Sequence, residues 1–412
     1  MYVIDRIKAL KLIILFSAVP IFVLHSFYPS GFSIEKIVIT LLLLSSVVLL
    51  ITFSLIKRRN IRYNIHPYYK VLFFLLFTWS CFTIFRSLSF NLKDLISLFG
   101  LPLMAWAWIT PLMVVFGFNI YNWLYIFEFL GKLLLFGSIL AIGLIILFWD
   151  RYVFGLSVFL KFYPILYWTF PHQTSWNKKI TLLAMFSFAL VSYVASSRIA
   201  IAYIFLSVFF FSVEFFKSKT VGQIKKIFVT TFLSLSIVLI FVMSSDIYNN
   251  IASDKTATTD TRTFLVVEMF NDMSEKELII GRGALGTYFS PYFYMLKKIG
   301  TEGGDSAIRH VNEIGYLEII LKGGYIMLVI YLLILIPAAY LGIFRSNNII
   351  VKMSGYFIVV YLIIWTISYV PLYSPIFLLL WMAVGTAISP TARNITDDEL
   401  QKYMKRGDMI ER

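Results

Sequence analysis

A few side chains in this sequence have the type and spacing to do chemistry, and most of them are arginines. Arg198 closes the run Ser196-Ser197-Arg198. Arg262 stands in Thr261-Arg262-Thr263-Phe264, Arg282 in Gly281-Arg282-Gly283, and Arg309 just before His310. A guanidinium offers a planar fork of donors that matches the oxygens of a phosphate, so these residues suit a diphosphate without a metal. His310 lies three residues before Glu313. If a helix opens near His310, the two share a face, and an imidazole one turn from a carboxylate can act as a general base or proton carrier. The bland alternatives are a snorkelling Arg198 at the lipid headgroups, a solvated surface for Arg262 and Arg282, and a polar loop histidine.

Other chemistries lack their residues. The histidines His25, His66, His172 and His310 share no metal-ligand spacing, and a zinc site needs three or four convergent ligands. There is no P-loop, no GxSxG elbow and no DxD pair. Gly281, Gly283 and Gly286 fit no dinucleotide fingerprint, because no βαβ unit surrounds them, and they read as a tight turn. No metal and no cofactor is therefore expected.

The elements that must position these residues are membrane helices. The chain has 412 residues, of which 59% are hydrophobic and 14% charged, with a mean hydropathy of +0.83. A soluble domain carries about 25% charged residues, and a chain this apolar could not cover itself with polar surface. Apolar runs of spanning length lie at 12–28, 36–56, 71–85, 95–117, 123–148, 152–170, 180–195, 199–216, 227–244, 320–344, 353–370 and 373–390. Pro102 and Pro111 make the 95–117 run irregular, and Lys161 and Pro164 interrupt 152–170. The stretch Tyr2 to Lys11 leads into an apolar run that ends in no small-residue cleavage site, so it reads as the start of a retained first helix. The expected fold class is all-α: a single polytopic membrane bundle over 1–412 with about twelve transmembrane helices.

The net charge of +14 resides mostly in short segments between apolar runs. That is the positive-inside pattern of a membrane protein, and it speaks for the lipid bilayer as partner and against nucleic acid. Lys57, Arg58, Arg59 and Arg62 form one basic group, Lys217, Lys219, Lys225 and Lys226 a second, and Arg393, Lys402, Lys405 and Arg406 a third. All three fall in the cytoplasm only if 152–170 crosses, which gives twelve spans with both termini cytoplasmic. The long segment 245–315 then lies outside. Its charge agrees, with eleven acidic against seven basic residues from Asp246 to Glu318. It contains a helical-looking piece from Thr263 to Met273, the glycine-rich turn, and an aromatic patch from Tyr288 to Tyr294, and it is expected to fold as a small helical cap.

The order of these motifs resembles the bacterial O-antigen ligase and polymerase superfamily of membrane glycosyltransferases. Ser197-Arg198 opens an apolar helix. Thr261-Arg262-Thr263-Phe264 heads the loop's short helix. Ile279-Ile280-Gly281-Arg282-Gly283-Ala284-Leu285-Gly286-Thr287-Tyr288 follows. Then His310-Val311-Asn312-Glu313-Ile314-Gly315-Tyr316-Leu317 runs into a helix containing Gly323-Gly324. The resemblance covers roughly 196–330. It implies an inverting, metal-independent transfer from an undecaprenyl-diphosphate-linked glycan donor to a glycan acceptor, on the outer face of the bacterial inner membrane, with a chain-length regulator protein as a partner. It further implies that Arg198, Arg262 and Arg282 bind the diphosphate and that His310, with Glu313, activates the acceptor. Ligases tend to have Asn directly after the histidine. Val311 intervenes here and Glu313-Ile314-Gly315 follows, which looks more like the polymerases that build O-antigen, capsule or exopolysaccharide. The alternatives are an O-antigen ligase and, in another class, a lipid-linked oligosaccharide flippase, although two related halves with matching interrupted helices are not evident.

Overall fold

The computed structural model describes residues 2–27, 34–55, 65–89, 91–148, 165, 175–194, 203, 205–210, 213, 263–299, 307–368 and 370–410. Long apolar runs in these stretches satisfy their backbone groups internally, as a lipid environment requires, by forming helices. They are α1 (Tyr2–Phe27), α2 (Ile34–Leu55), α3 (Pro67–Phe85), α4 (Leu92–Gly100), a 3-10 segment (Ala105–Met113), α5 (Val114–Gly117), α6 (Tyr121–Phe148) and α7 (Ser175–Val194). The later part adds α8 (Thr263–Asp272), α9 (Glu275–Ile280), α10 (Pro291–Ile299), α11 (Gly315–Phe344), α12 (Ile349–Ile364), α13 (Pro375–Ile388), α14 (Pro390–Asn394) and α15 (Asp397–Ile410). The expected spans at 152–170 (apart from Ile165), 227–244 and most of 199–216 lie outside the described residues.

Among the described residues, four stretches are long and apolar enough to cross a membrane: Pro67–Phe85, Asp94–Gly117, Tyr121–Gly143 and Gly315–Phe344. Shorter apolar helices accompany them. The outward faces are apolar too. Val71, Phe74 and Phe85 on α3 are exposed, as are Val329, Ile336 and Phe344 on α11. Such faces would be a liability in water and are compatible with lipid as the solvent. Helix α13 is apolar all round and has all 14 residues buried, which makes it the central element of the described bundle. It packs on α12, α11, α5 and the 3-10 segment. Gly385 lets the backbone of α5 come close: a Cβ there would sit 2.1 Å from the Val114 carbonyl oxygen.

The 95–117 span is irregular, as its prolines require. The α-helix stops at Gly100, and the chain resumes as the 3-10 segment, which contains Pro111. Side chains and a neighbouring backbone take up the freed carbonyls. Trp106 Nε1 donates to Phe99 O at 2.6 Å, and the Tyr373 amide to Pro102 O at 2.7 Å. The one departure from an all-helical make-up among the described residues is a two-stranded antiparallel pair, β1 (Tyr288–Phe289) with β2 (Ile308–Arg309), which places Tyr288 opposite Arg309.

Candidate functional site

The described part of the long loop is organised by Arg282. Helix α8 ends at Asp272, and Ser274 opens α9 with a capping box: its hydroxyl accepts from the Glu277 amide, and the Glu277 carboxylate accepts from the Ser274 amide. Arg282 then reaches back across both helices. Its Nε and Nη2 donate to the two carboxylate oxygens of Glu277, each at 3.0 Å. Its other donors go to the Asp272 carboxylate, the Asp272 carbonyl at 2.5 Å and the Thr287 carbonyl at 2.6 Å. All five N–H groups of the guanidinium are thereby used. The Arg282 fork holds the Glu277 carboxyl down at a pKa of about 2.

The glycine-rich turn after α9 is seated in a break in a membrane helix. Within α11, Gly324 has φ 72° and interrupts the helix. The carbonyls freed ahead of the break are taken from outside: the amides of Arg282 and Gly283 donate to Leu321 O and Lys322 O at 2.8 and 3.0 Å, and Trp79 Nε1 of α3 donates to Gly323 O at 2.7 Å. Backbone meets backbone here. A Cβ on Gly281 (φ 74°) would lie 2.2 Å from Lys322 O, and one on Gly324 2.1 Å from Ile279 O. Non-helical backbone at membrane depth is tolerated where protein satisfies it, and the loop is what satisfies this one. Arg86 adds two bonds from its guanidinium to Ile280 O and Gly281 O.

His310 rides on the turn between β2 and α11. The chain there is tied from below: Lys322 Nζ donates to His310 O at 2.5 Å and to Gly286 O at 2.8 Å. Glu318 Oε2 accepts from the Asn312 amide at 2.7 Å. Asn312 is itself buried and reaches helix α8 through Nδ2 to Leu265 O at 3.4 Å. The three segments singled out in the sequence, at 263–272, 281–287 and 310–315, thus close on one another. Partial burial and the positive charge of Lys322 both lower the His310 pKa, which favours a neutral, proton-accepting imidazole near neutral pH. Tyr288, beneath the same turn, is pushed up to about 12 by burial and stays a neutral phenol.

Of the residues expected to form the site, Arg198 and Arg262 lie outside the described residues; Arg262 immediately precedes α8. Arg282, His310 and Glu313 fall within one unit. Arg282 is the clasp of the loop, with its donors committed. Glu313 is half-exposed and forms an ion pair with Arg309 at 3.1 Å, while the Arg309 guanidinium lies 4.0 Å from the Phe293 ring centroid. One expectation is corrected. The helix opens at Gly315 and not near His310, so His310 and Glu313 do not share a helical face. The physical reason is local: Asn312 Oδ1 accepts from the Ile314 amide at 3.1 Å, a side-chain turn that competes with helix, and Ile314 is extended. Sequence reasoning missed Asn312, Lys322 and Trp79, and counted Glu318 only among the charges of the loop. The available signal was Glu318 and Lys322, two charges at helical i,i+4 spacing in an apolar run.

Chemically, the turn presents one titratable base on a rigid backbone, at the junction of a loop and a membrane helix. Among the described residues no group of His, Cys, Asp and Glu could hold a metal ion. No protein-family model, curated protein or solved structure matches the chain.

Proposed function

We propose that the protein is a membrane glycosyltransferase that polymerises undecaprenyl-diphosphate-linked oligosaccharide repeat units of a bacterial surface polysaccharide. Twelve spans, cytoplasmic termini and an outward-facing cap in the inner membrane belong to the same reading. The observation that carries it is the joining of separate motifs: Lys322 bonds Gly286 of the glycine-rich turn and His310 of the histidine motif through one ammonium. A diphosphate is already a good leaving group, so the protein has two tasks. Arg198 and Arg262 stabilise the departing diphosphate. His310 takes the proton from the acceptor hydroxyl as that oxygen attacks the anomeric carbon from the opposite face, with inversion. Arg282, with its donors spent, holds the loop that presents these groups.

The test is Arg198→Ala, Arg262→Ala and His310→Ala in the host, scored for the length distribution of the surface polysaccharide. Each variant should collapse long chains to single repeat units while the protein stays in the membrane. Long chains persisting in all three would sink the site. Full-length polymer accumulating on undecaprenyl diphosphate without reaching its lipid acceptor would mark a ligase instead. A flippase is favoured by an interrupted helix lining a cavity, but the freed carbonyls at Gly324 are filled here by the loop. Repeat units stalled on the cytoplasmic side would nonetheless identify it.

A further inference from the structure

Two charged side chains remain that the proposed reaction does not use. Glu318 and Lys322 lie on the first turns of α11, ahead of the break at Gly324, 3.6 Å apart and with side chains 0% exposed. Burying a charge is costly unless it is paired and hydrogen-bonded, so a pair this deep is worth explaining by what it holds. It holds backbone. The Lys322 ammonium donates to Gly286 O and His310 O, and it lies 3.6 Å from Glu318 Oε1 as an ion pair longer than a hydrogen bond. Glu318 in turn takes the Asn312 amide through Oε2. His310 is therefore gripped at its own carbonyl and again two residues on, while β2 pairs Arg309 with Tyr288 on its other side.

We propose that the Glu318–Lys322 pair is a positioning device for His310, fixing the turn that carries the imidazole and placing one ammonium beside it. Among the described residues, the other charges around this turn have partners of their own. Arg309 pairs with Glu313, Glu268 accepts from Ser290 Oγ and the Tyr292 amide, and Arg282 is enclosed by Asp272 and Glu277. Among the described residues, Lys322 is the cation whose field lowers the His310 pKa, in the same direction as burial does. The catalytic use of this arrangement rests on the polymerase reading; the positioning does not.

The experiment reads His310 directly. Purified protein in detergent is treated with diethyl pyrocarbonate, which modifies neutral imidazole, across pH 5 to 8. The four histidine peptides are quantified by mass spectrometry, with His66 as the reference outside the loop. Lys322→Met should move the His310 midpoint up by about half a pH unit, roughly a threefold fall in rate well to the acid side of the midpoint. Glu318→Gln, which removes the compensating negative charge, should move it down. Opposite directions are the signature, because simple loosening of the turn would move both variants the same way. Shifts of one sign, or no shift in either, overturn the proposal. If a single variant does not fold, the other is read alone against its own direction, up for Lys322→Met or down for Glu318→Gln, and a shift of the opposite sign or no shift overturns the proposal. Midpoints that move as expected, together with intact polymer length in His310→Ala, would keep the positioning and discard the polymerase site.

Discussion

Arg282 carries the cap because a guanidinium can serve five acceptors at fixed angles, and here it does. Arg282→Ala would remove the guanidinium from two carboxylates, which keep only the Ser274 and Phe289 donors, and from two carbonyls. The expected cost is about 2–3 kcal/mol of local stability, read as faster amide exchange over 263–290. Arg282→Lys should recover only part, because an ammonium cannot reproduce the fork. The same contact makes the loop acid-sensitive in a defined window. Glu277 has its pKa lowered from 4.5 to about 2 in the folded loop. Its contribution is therefore complete above about pH 4.5 and is lost as pH falls toward 2. Protection over 263–290, relative to the intrinsic exchange rate at each pH, should fall between pH 4.5 and 2 in the native chain. Glu277→Gln should start less protected and show a weaker acid response, and equal acid responses in the two proteins would refute the clasp. The sequence could show that Arg282 sits in a glycine-rich turn. It could not show where the guanidinium points, because Asp272 and Glu277 precede it by ten and five residues with a helix boundary between them, and no helical register joins the three.

The interrupted helix α11 and the turn that plugs it are one element in two pieces. Gly281 and Gly324 have positive φ, and each lacks room for a Cβ against the other's backbone. Alanine at either position combines strain with a clash that no side-chain motion relieves, so each should cost about 1–3 kcal/mol or more. Gly131→Ala on α6, where a Cβ meets none of the described residues within 4 Å, should be neutral or stabilising by about 0.5–1 kcal/mol. Thermal unfolding in detergent checks the set: a lowered Tm for the first two and an unchanged or raised one for the third. Much at this scale was legible. The helix expected from Thr263 to Met273 is α8 at Thr263–Asp272, the broken span is at its prolines, and the turn is at Gly281. Gly323-Gly324 was visible as a pair of letters, but its partner lies some forty residues upstream, and such a contact has no local periodicity to betray it. The Glu318–Lys322 pair was lost for a related reason. Hydropathy starts the apolar run at 320, past Glu318, whereas the helix starts at Gly315 because its first turns are buried under the loop.

At the scale of the whole molecule, the number of times the chain crosses the bilayer decides which basic segments lie on the face opposite the proposed site. Arg198 lies five expected spans beyond the basic loop at 57–62. That number is odd, and puts Arg198 on the face opposite 57–62, only if 152–170 crosses; the segment 245–315 follows Arg198 to the same face in either case, two expected spans further on. Positive-inside bias argues that it does, because the crossing brings Lys178 and Lys179 to the cytoplasmic side with the other basic segments. The chain's single cysteine makes the test clean. In a Cys81→Ser background, Asn60→Cys, Lys276→Cys and Asp398→Cys report the first basic loop, the exposed flank of α9 and the exposed start of α15. A membrane-impermeant maleimide applied to intact spheroplasts should label Lys276→Cys alone, and the other two only after permeabilisation. Lys276 and Asp398 fall on opposite sides in either topology, because the three expected spans between them are odd in number. The discriminating residue is Asn60. Labelling with Asp398 supports the crossing. Labelling with Lys276 makes the count eleven and puts the first basic loop on the face of Arg198 and 245–315, which breaks the positive-inside assignment of the three basic groups; Arg198 and His310 keep a common face in either case, because two expected spans lie between them.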